Sequence, residues 1–153
     1  MPGTKLVTKN RKAFHDYHII ERYEAGIALV GTEVKSLRDG KCNLKDSYAR
    51  PENGEIVLHG MHISPYEKGN QHNHDPMRPR KLLMHKREIL KLSAEQQQKG
   101  MTLIALSVYF KRGRAKIELA LAKGKAEYDK REALKQKEQS RETEQALKSV
   151  GRF

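Results

Sequence analysis

Apolar and polar positions alternate most clearly towards the end of the first 123 residues. In Ala115–Ala122 the apolar side chains take every second position, with Lys116 and Glu118 between them. A period of two is typical of a β-strand with one buried face. The apolar run Leu103–Phe110 comes just before it, and the basic link 111–114 contains a glycine. The pattern therefore predicts a β-hairpin with a strongly basic tip.

Shorter apolar segments earlier in the chain predict more strands, namely Tyr17–Tyr23, Gly26–Val30, Ser47–Arg50 and Ile56–Ile63. The last two flank the turn sequence Pro51-Glu52-Asn53-Gly54. Two short helices are predicted, Glu33–Asp39 between a capping Thr32 and Gly40, and Lys86–Leu92 with a further turn after it. Many short strands with only small helices favour a mainly β fold, a closed or half-closed antiparallel barrel.

The last 30 residues have a different composition. Residues 124–153 hold 14 charged residues and only 8 apolar ones, but no proline. Such a segment buries too little surface to offset its ordering entropy, although Ala, Lys, Glu, Gln and Arg favour a helix. We therefore predict a barrel over residues 1–123 and a tail over 124–153 that is disordered when free and helical on a surface. A solvated helix that only improves solubility remains the alternative.

The charge balance narrows the class of partner. The chain of 153 residues has 31 Lys and Arg against 19 Asp and Glu, a net charge of +12. This excess favours a polyanion, either nucleic acid or an anionic membrane surface. No apolar run approaches the roughly 18 residues of a membrane-spanning helix. One cysteine and no signal-peptide pattern predict an intracellular protein without disulfides.

Catalytic motifs are weak or missing. His72, His74 and Asp75 have ligand-type side chains, but their spacing matches no defined metal motif. No nucleophile elbow, phosphate-binding loop or dinucleotide fingerprint occurs. A metal-dependent nuclease built on those three residues and a general binder of single-stranded nucleic acid remain the alternative hypotheses. His59 and His62 are predicted to lie on one strand and to face opposite sides.

A series of short motifs occurs in the order found in one family of bacterial proteins. The motifs are Asn10–Tyr17, Tyr23–Ile27, Gly31–Arg38, Asp46–Tyr48, His62–Tyr66, Arg80–Leu83, Tyr109–Lys111, Ala122–Lys125 and Asp129–Glu132. From Asn10 to Glu132 the chain resembles SmpB, the tmRNA-binding (SsrA-binding) protein family. Each motif alone is short, but together and in this order they are specific.

The resemblance implies a fold and a function. The family has an OB-fold-like antiparallel β-barrel with small helices and a C-terminal tail. It binds the tRNA-like domain of tmRNA and enters stalled ribosomes, where the protein stands in place of the anticodon arm. The tail then folds into a helix in the empty mRNA channel, and the nascent peptide is tagged for degradation.

The same resemblance implies which molecules the protein binds. They are tmRNA, the ribosome at its decoding centre, mRNA channel and 16S rRNA, and elongation factor Tu indirectly through alanyl-tmRNA. No catalysis, cofactor, metal or membrane is implied. We expect a cytoplasmic monomer.

Three residues match family positions that are important for RNA binding. Lys116 is suited to a phosphate contact, and Glu24 to accepting hydrogen bonds from base amino groups or a 2′-hydroxyl. Leu83 would make an apolar contact with an exposed base, although its sequence context alone favours ordinary core burial.

Further RNA contacts are assigned more by chemistry than by motif. Lys35 and Arg38 are three residues apart on the predicted helix, which suits a phosphate clamp. Arg11 and Lys12 of the first motif complete the predicted tmRNA-binding set.

The start of the tail matches the part of the family that lies at the decoding centre. The residues assigned to ribosome binding are Lys123, Gly124, Lys125, Tyr128, Asp129, Lys130, Arg131 and Leu147. Tyr128 is suited to stacking on a ribosomal base, and the cations to phosphate contacts. Ala126 stands where the family usually has a lysine, so this junction has one positive charge fewer.

Overall fold

The computed structural model describes residues 4–68 and 73–125, and these form three helices and nine strands. The helices are α1 (Arg11–Asp16), α2 (Gly31–Arg38) and α3 (Lys86–Gln96). The strands are β1 (Thr4–Lys9), β2 (Tyr17–Ile27), β3 (Cys42–Asn43), β4 (Tyr48–Glu52), β5 (Glu55–His59), β6 (His62–Ile63), β7 (Arg80–Leu83), β8 (Met101–Lys111) and β9 (Arg114–Gly124). The predicted mainly β fold with short helices is confirmed.

Six antiparallel strands pair in a closed ring, in the order β8, β4, β5, β7, β2 and β9, with β9 pairing again with β8. The first strand, β1, pairs with the C-terminal half of β8, and β3 pairs with β6 in a separate two-stranded sheet. The main hydrophobic core lies inside the ring. No helix in the described part of the chain is long and apolar enough to cross a membrane.

The β8–β9 hairpin agrees with its prediction. The two strands pair from Met101 opposite Lys123 to Lys111 opposite Arg114. Arg112 and Gly113 form the tip, both with positive φ (53° and 77°), as a tight two-residue turn requires.

The segment from 17 to 30 differs from its prediction. Instead of two strands separated near residue 25, β2 is one strand of 11 residues that pairs with β9 over almost its whole length. The sequence Glu24-Ala25-Gly26 favours a turn, but Gly26 lies in the ladder between Leu83 and Lys116. Pairing on both edges keeps this segment extended despite its weak strand propensity.

The predicted strand Ile56–Ile63 was also wrong in its length. It ends at His59, because Gly60 has φ +78° and lies against the backbone of residues 46 and 47. His62 belongs to β6 and pairs with Asn43. The two histidines therefore lie on different strands of different sheets.

Strands β2, β9 and β8 have an outer face, directed away from the main core, that is divided into two halves. Helix α1 covers one half, where Ala13 packs on Ile104, Leu106, Ala120 and Ala122 in a second small core. The other half has no helix over it in the described structure. We call it the open face; its outward residues are Leu6, Glu24, Gly26, Leu83, Tyr109, Lys111 and Lys116.

Candidate RNA interface

The strand register brings distant residues into one row on the open face. Gly26 of β2 pairs with Leu83 of β7 on one side and with Lys116 of β9 on the other. Lys116 in turn pairs with Tyr109 of β8, which pairs with Leu6 of β1. Side chains in register on neighbouring strands lie on the same face of a sheet. Two of the three family-matched positions, Leu83 and Lys116, are therefore neighbours across a single glycine.

Leu83 lies at the surface, not in the core. Its side chain is 51% exposed, whereas Leu82 before it is 1% exposed and belongs to the main core. A Cβ atom placed on Gly26 would lie 3.1 Å from the Cβ of Leu83, which is closer than side chains normally pack. The glycine thus makes room for Leu83, which remains half exposed among the described residues.

Glu24 lies two residues before Gly26 and so on the same face. The Tyr109 hydroxyl donates a 2.5 Å hydrogen bond to Oε2 of Glu24, and Lys111 Nζ lies 3.4 Å from both carboxylate oxygens. The hydrogen bond from Tyr109 lowers the pKa of Glu24 below its ordinary value; burial acts in the opposite direction, and Lys111 and Lys116 add to the lowering. Glu24 is therefore an ionised hydrogen-bond acceptor at neutral pH.

A shallow groove of about 300 Å³ runs beside this carboxylate. It is lined by Leu6, Glu24, Tyr109 and Lys111, together with Ser107 and Glu118. Leu6 is 59% exposed and gives the groove an apolar wall. The open face thus combines apolar side chains, a fixed carboxylate and cations, which are the groups that contact unpaired bases and phosphates.

The two basic side chains predicted on α2, Lys35 and Arg38, lie near different aromatic rings. Lys35 Nζ lies 5.5 Å from the ring centre of Tyr66, and Arg38 Cζ lies 6.0 Å from that of Phe110. Both side chains are exposed. Arg38 also lines a groove of about 490 Å³ between the end of α2, β1 and the hairpin tip.

A buried ion network fixes the start of α2. Glu33 and Arg80 are fully buried; Arg80 Nε donates to Glu33, and Arg80 Nη1 donates to the Met61 carbonyl at 2.6 Å. Arg78 also donates to Glu33, at 2.6 Å. Burial alone would raise the pKa of Glu33, but hydrogen bonds from Arg78, from the amide of Val30 and from Arg80 lower it overall.

The other predicted residues that the structure describes lie outside the open face. Arg11 and Lys12 lie on α1, and Lys12 Nζ forms a 3.0 Å ion pair with Asp46. At the other end, Lys123 and Gly124 lie in β9, and Lys125 Nζ lies 3.4 Å from the Phe14 carbonyl, beside α1. The assigned tail residues Tyr128, Asp129, Lys130, Arg131 and Leu147 lie outside the described residues.

The alternative metal site finds no support in the geometry. Both ring nitrogens of His74 are engaged at 2.8 Å, Nδ1 with the Thr32 hydroxyl and Nε2 with the Ile63 carbonyl. Asp75 accepts a hydrogen bond from the Met77 amide, and His72 lies outside the described residues. Within 4–68 and 73–125, no three His, Cys, Asp or Glu side chains are grouped to hold a metal ion.

Comparison with known families settles what kind of protein this is. A family model described as "SmpB protein" matches residues 7–149. The chain belongs to the SmpB family.

Similar proteins cover nearly all of the chain. The SsrA-binding protein of Moorella thermoacetica is 63% identical, with 94% of each chain covered. That of Carboxydothermus hydrogenoformans is 62% identical, with 95% of this chain and 97% of the relative covered. A solved chain described as "tmRNA-SmpB: a journey to the center of the bacterial ribosome" has a TM-score of 0.67 and 56% identity, covering 77% of this chain and 83% of its own.

Sequence reasoning missed several open-face residues of this SmpB-family chain. Leu6 lies in a strand that was not predicted from the basic N-terminus, and Gly26 was predicted to begin a separate strand, not to lie inside β2. The position of Tyr109 could have been found, because Tyr109 and Lys116 are equidistant from the predicted link 111–114 and so pair in a symmetric hairpin. Its contact with Glu24 depends on the β2–β9 register, which no local pattern encodes.

Proposed function

We propose that this SmpB-family chain binds the tRNA-like domain of tmRNA through its open face and enters stalled ribosomes with it. There its C-terminal tail occupies the empty mRNA channel, so that translation resumes on the tmRNA reading frame and the nascent peptide is tagged. The chain acts as a binding protein, not a catalyst. Because ribosomes and tmRNA are cytoplasmic in bacteria, this is a cytoplasmic function.

One observation carries the proposal. Glu24, Leu83 and Lys116 are far apart in the sequence, yet they converge on one uncovered face around Gly26. Leu83 is half exposed although its side chain is apolar. Lys116 is close enough to favour the ionised form of Glu24. Relatives that share over 60% of the sequence are named SsrA-binding proteins, which supports tmRNA as the RNA in question.

A competition gel shift tests the RNA part of this proposal. Labelled tRNA-like domain of tmRNA is bound by the full chain, and unlabelled bulk tRNA or single-stranded RNA is added in excess. We expect the tmRNA complex to survive, because the open face recognises one RNA shape. Equal competition by all RNAs would mean that net positive charge alone explains the binding.

Single substitutions then test whether the open face is the RNA-binding surface. Glu24→Ala, Leu83→Ala and Lys116→Ala should each weaken tmRNA binding, and only Lys116→Ala should reduce the salt dependence, by roughly 0.7–0.9 in the slope of log K against log salt. Matched controls are Glu67→Ala, Leu90→Ala and Lys99→Ala, which remove exposed residues of the same types outside the open face. If the controls weaken binding as much as the open-face variants, the site lies elsewhere.

A further inference from the structure

The hydroxyl of Tyr109 reaches across a whole strand to find its acceptor. Tyr109 lies on β8 and Glu24 on β2, with β9 between them, and 85 residues separate them along the chain. Neighbouring strands are about 4.8 Å apart, so the two backbones are roughly 10 Å apart. The 2.5 Å hydrogen bond therefore lies over β9, beside the groove of about 300 Å³.

This contact restrains a side chain that would otherwise be mobile. Glu24 is 42% exposed, and an exposed glutamate samples several rotamers. Tyr109 has few rotatable bonds, and its strand is paired on both edges at this position. Holding the carboxylate in place before a ligand arrives lowers the entropy cost of binding.

The restrained carboxylate still has free acceptor capacity. A carboxylate offers about four lone-pair sites, and one well-formed hydrogen bond from Tyr109 uses one of them. Lys111 contacts both oxygens only at 3.4 Å. The remaining sites are open to N–H or O–H donors of an RNA in the groove.

We propose that Tyr109 is a positioning residue for RNA recognition: it acts through Glu24, whose carboxylate it fixes in the orientation that the RNA meets. This inference rests on the proposed function of the open face. It assigns a role to the hydroxyl, not to the ring, so that removing one oxygen atom is enough to test it.

Tyr109→Phe in the full chain should weaken binding of the tmRNA tRNA-like domain by roughly three- to tenfold, the usual effect of losing one hydrogen bond. The matched control is Tyr23→Phe, because the Tyr23 hydroxyl also donates to a glutamate of β2, Glu21, outside the open face. We expect the control variant to bind as the unsubstituted protein does. Thermal melting of both variants reports any general loss of structure.

A double-mutant cycle separates positioning from direct contact. If Tyr109 acts only through Glu24, Tyr109→Phe will cause no further loss of affinity in a Glu24→Ala background. An equal loss in both backgrounds would overturn the proposal, because the hydroxyl would then contact RNA itself. If Glu24→Ala alone leaves binding unchanged, the proposed RNA site itself fails, which is a distinguishable result.

An NMR titration of the Glu24 carboxyl group tests the proposal independently of RNA binding. The charged and titratable groups around it are Tyr109 and Lys111 of β8 and Lys116 and Glu118 of β9. Since the tyrosine hydrogen bond favours the ionised form, Tyr109→Phe should raise the pKa of Glu24 in an NMR titration, while Tyr23→Phe should not. An unchanged pKa in Tyr109→Phe would show that the hydroxyl does not hold the carboxylate in solution, and would overturn the proposal.

Discussion

At the scale of single residues, Glu33 is a charged side chain held inside the protein by a buried cation. Its carboxylate and the Arg80 guanidinium are both fully buried, and neither charge is in contact with water. Each compensates the desolvation cost of the other, and removing Glu33 would leave the Arg80 guanidinium buried without its carboxylate partner.

Glu33→Ala should therefore lower the free energy of unfolding by about 3–5 kcal/mol, the cost of breaking a buried ion pair. Glu67→Ala is the control: Glu67 pairs with Lys41 at 3.2 Å on the surface, and such pairs contribute at most about 1 kcal/mol. Urea unfolding of the two variants measures the difference. Similar losses in both would mean that the buried network does not hold the fold together.

The same residue makes stability depend on pH. The folded-state pKa of Glu33 lies below its ordinary value, so the unfolded state binds more protons as the pH falls. The stabilisation is complete well above the unfolded pKa of about 4.3 and is lost as the pH falls through the folded pKa. Urea unfolding between about pH 6 and pH 3 should show a steeper loss of stability in the unsubstituted protein than in Glu33→Gln. Parallel curves would contradict this assignment, since the other carboxylates are the same in both proteins.

At the scale of elements, β2 shows what local patterns miss. The segment Glu24-Ala25-Gly26, near the C-terminal end of β2, was expected to separate two strands, and pairing with β7 and β9 makes it part of one strand. The N-terminal strand β1 and helix α1 were missed for a related reason. The cap of α1, Asn10, bonds the carbonyls of Leu44 and Ala105, which are 34 and 95 residues away.

The hairpin and the candidate site were predictable to different extents. Period-two alternation predicts β9, a continuous apolar run predicts β8, and the short link between them predicts a hairpin, which then fixes which residues pair. Glu24, Leu83 and Lys116 came from the family resemblance, but their convergence is a property of the strand register. Sequence context favoured a buried Leu83; its exposure follows from the alternation of β7.

Replacing Gly26 tests the spacing between strands β2 and β7. In Gly26→Ala the new methyl group would lie 3.1 Å from the Cβ of Leu83, which the strand backbone holds. We expect a loss of roughly 1 kcal/mol in stability, as for other overpacked sites, and weaker tmRNA binding because Leu83 is displaced.

The control for this substitution is Gly31→Ala at the start of α2, where an added Cβ meets nothing within 4 Å. Its stability should be unchanged or slightly higher, since alanine reduces the freedom of the unfolded chain. Equilibrium unfolding and gel shifts on both variants measure these effects. Full tmRNA affinity in Gly26→Ala would show that the spacing between Gly26 and Leu83 does not matter to the RNA.

At the scale of the whole molecule, the proposed function assigns tmRNA binding to the open face and action on the ribosome to the tail. A chain that ends after Lys125 retains every described strand, including the whole open face. We expect it to bind the tmRNA tRNA-like domain with nearly full affinity and to fail in tagging on stalled ribosomes. A gel shift and a cell-free tagging assay measure the two activities separately. Loss of RNA binding in the truncated chain would contradict this division.

Strand β9 connects the open face to the start of the predicted tail. Lys116 lies near its start and Gly124 at its end, and the strand is paired on both edges between them. Eight residues at about 3.3 Å each put those two points roughly 26 Å apart. Pairing on both edges keeps β9 extended between these two points. Under the proposed function, RNA bound at Lys116 would lie at this distance from Gly124, the last residue of the strand.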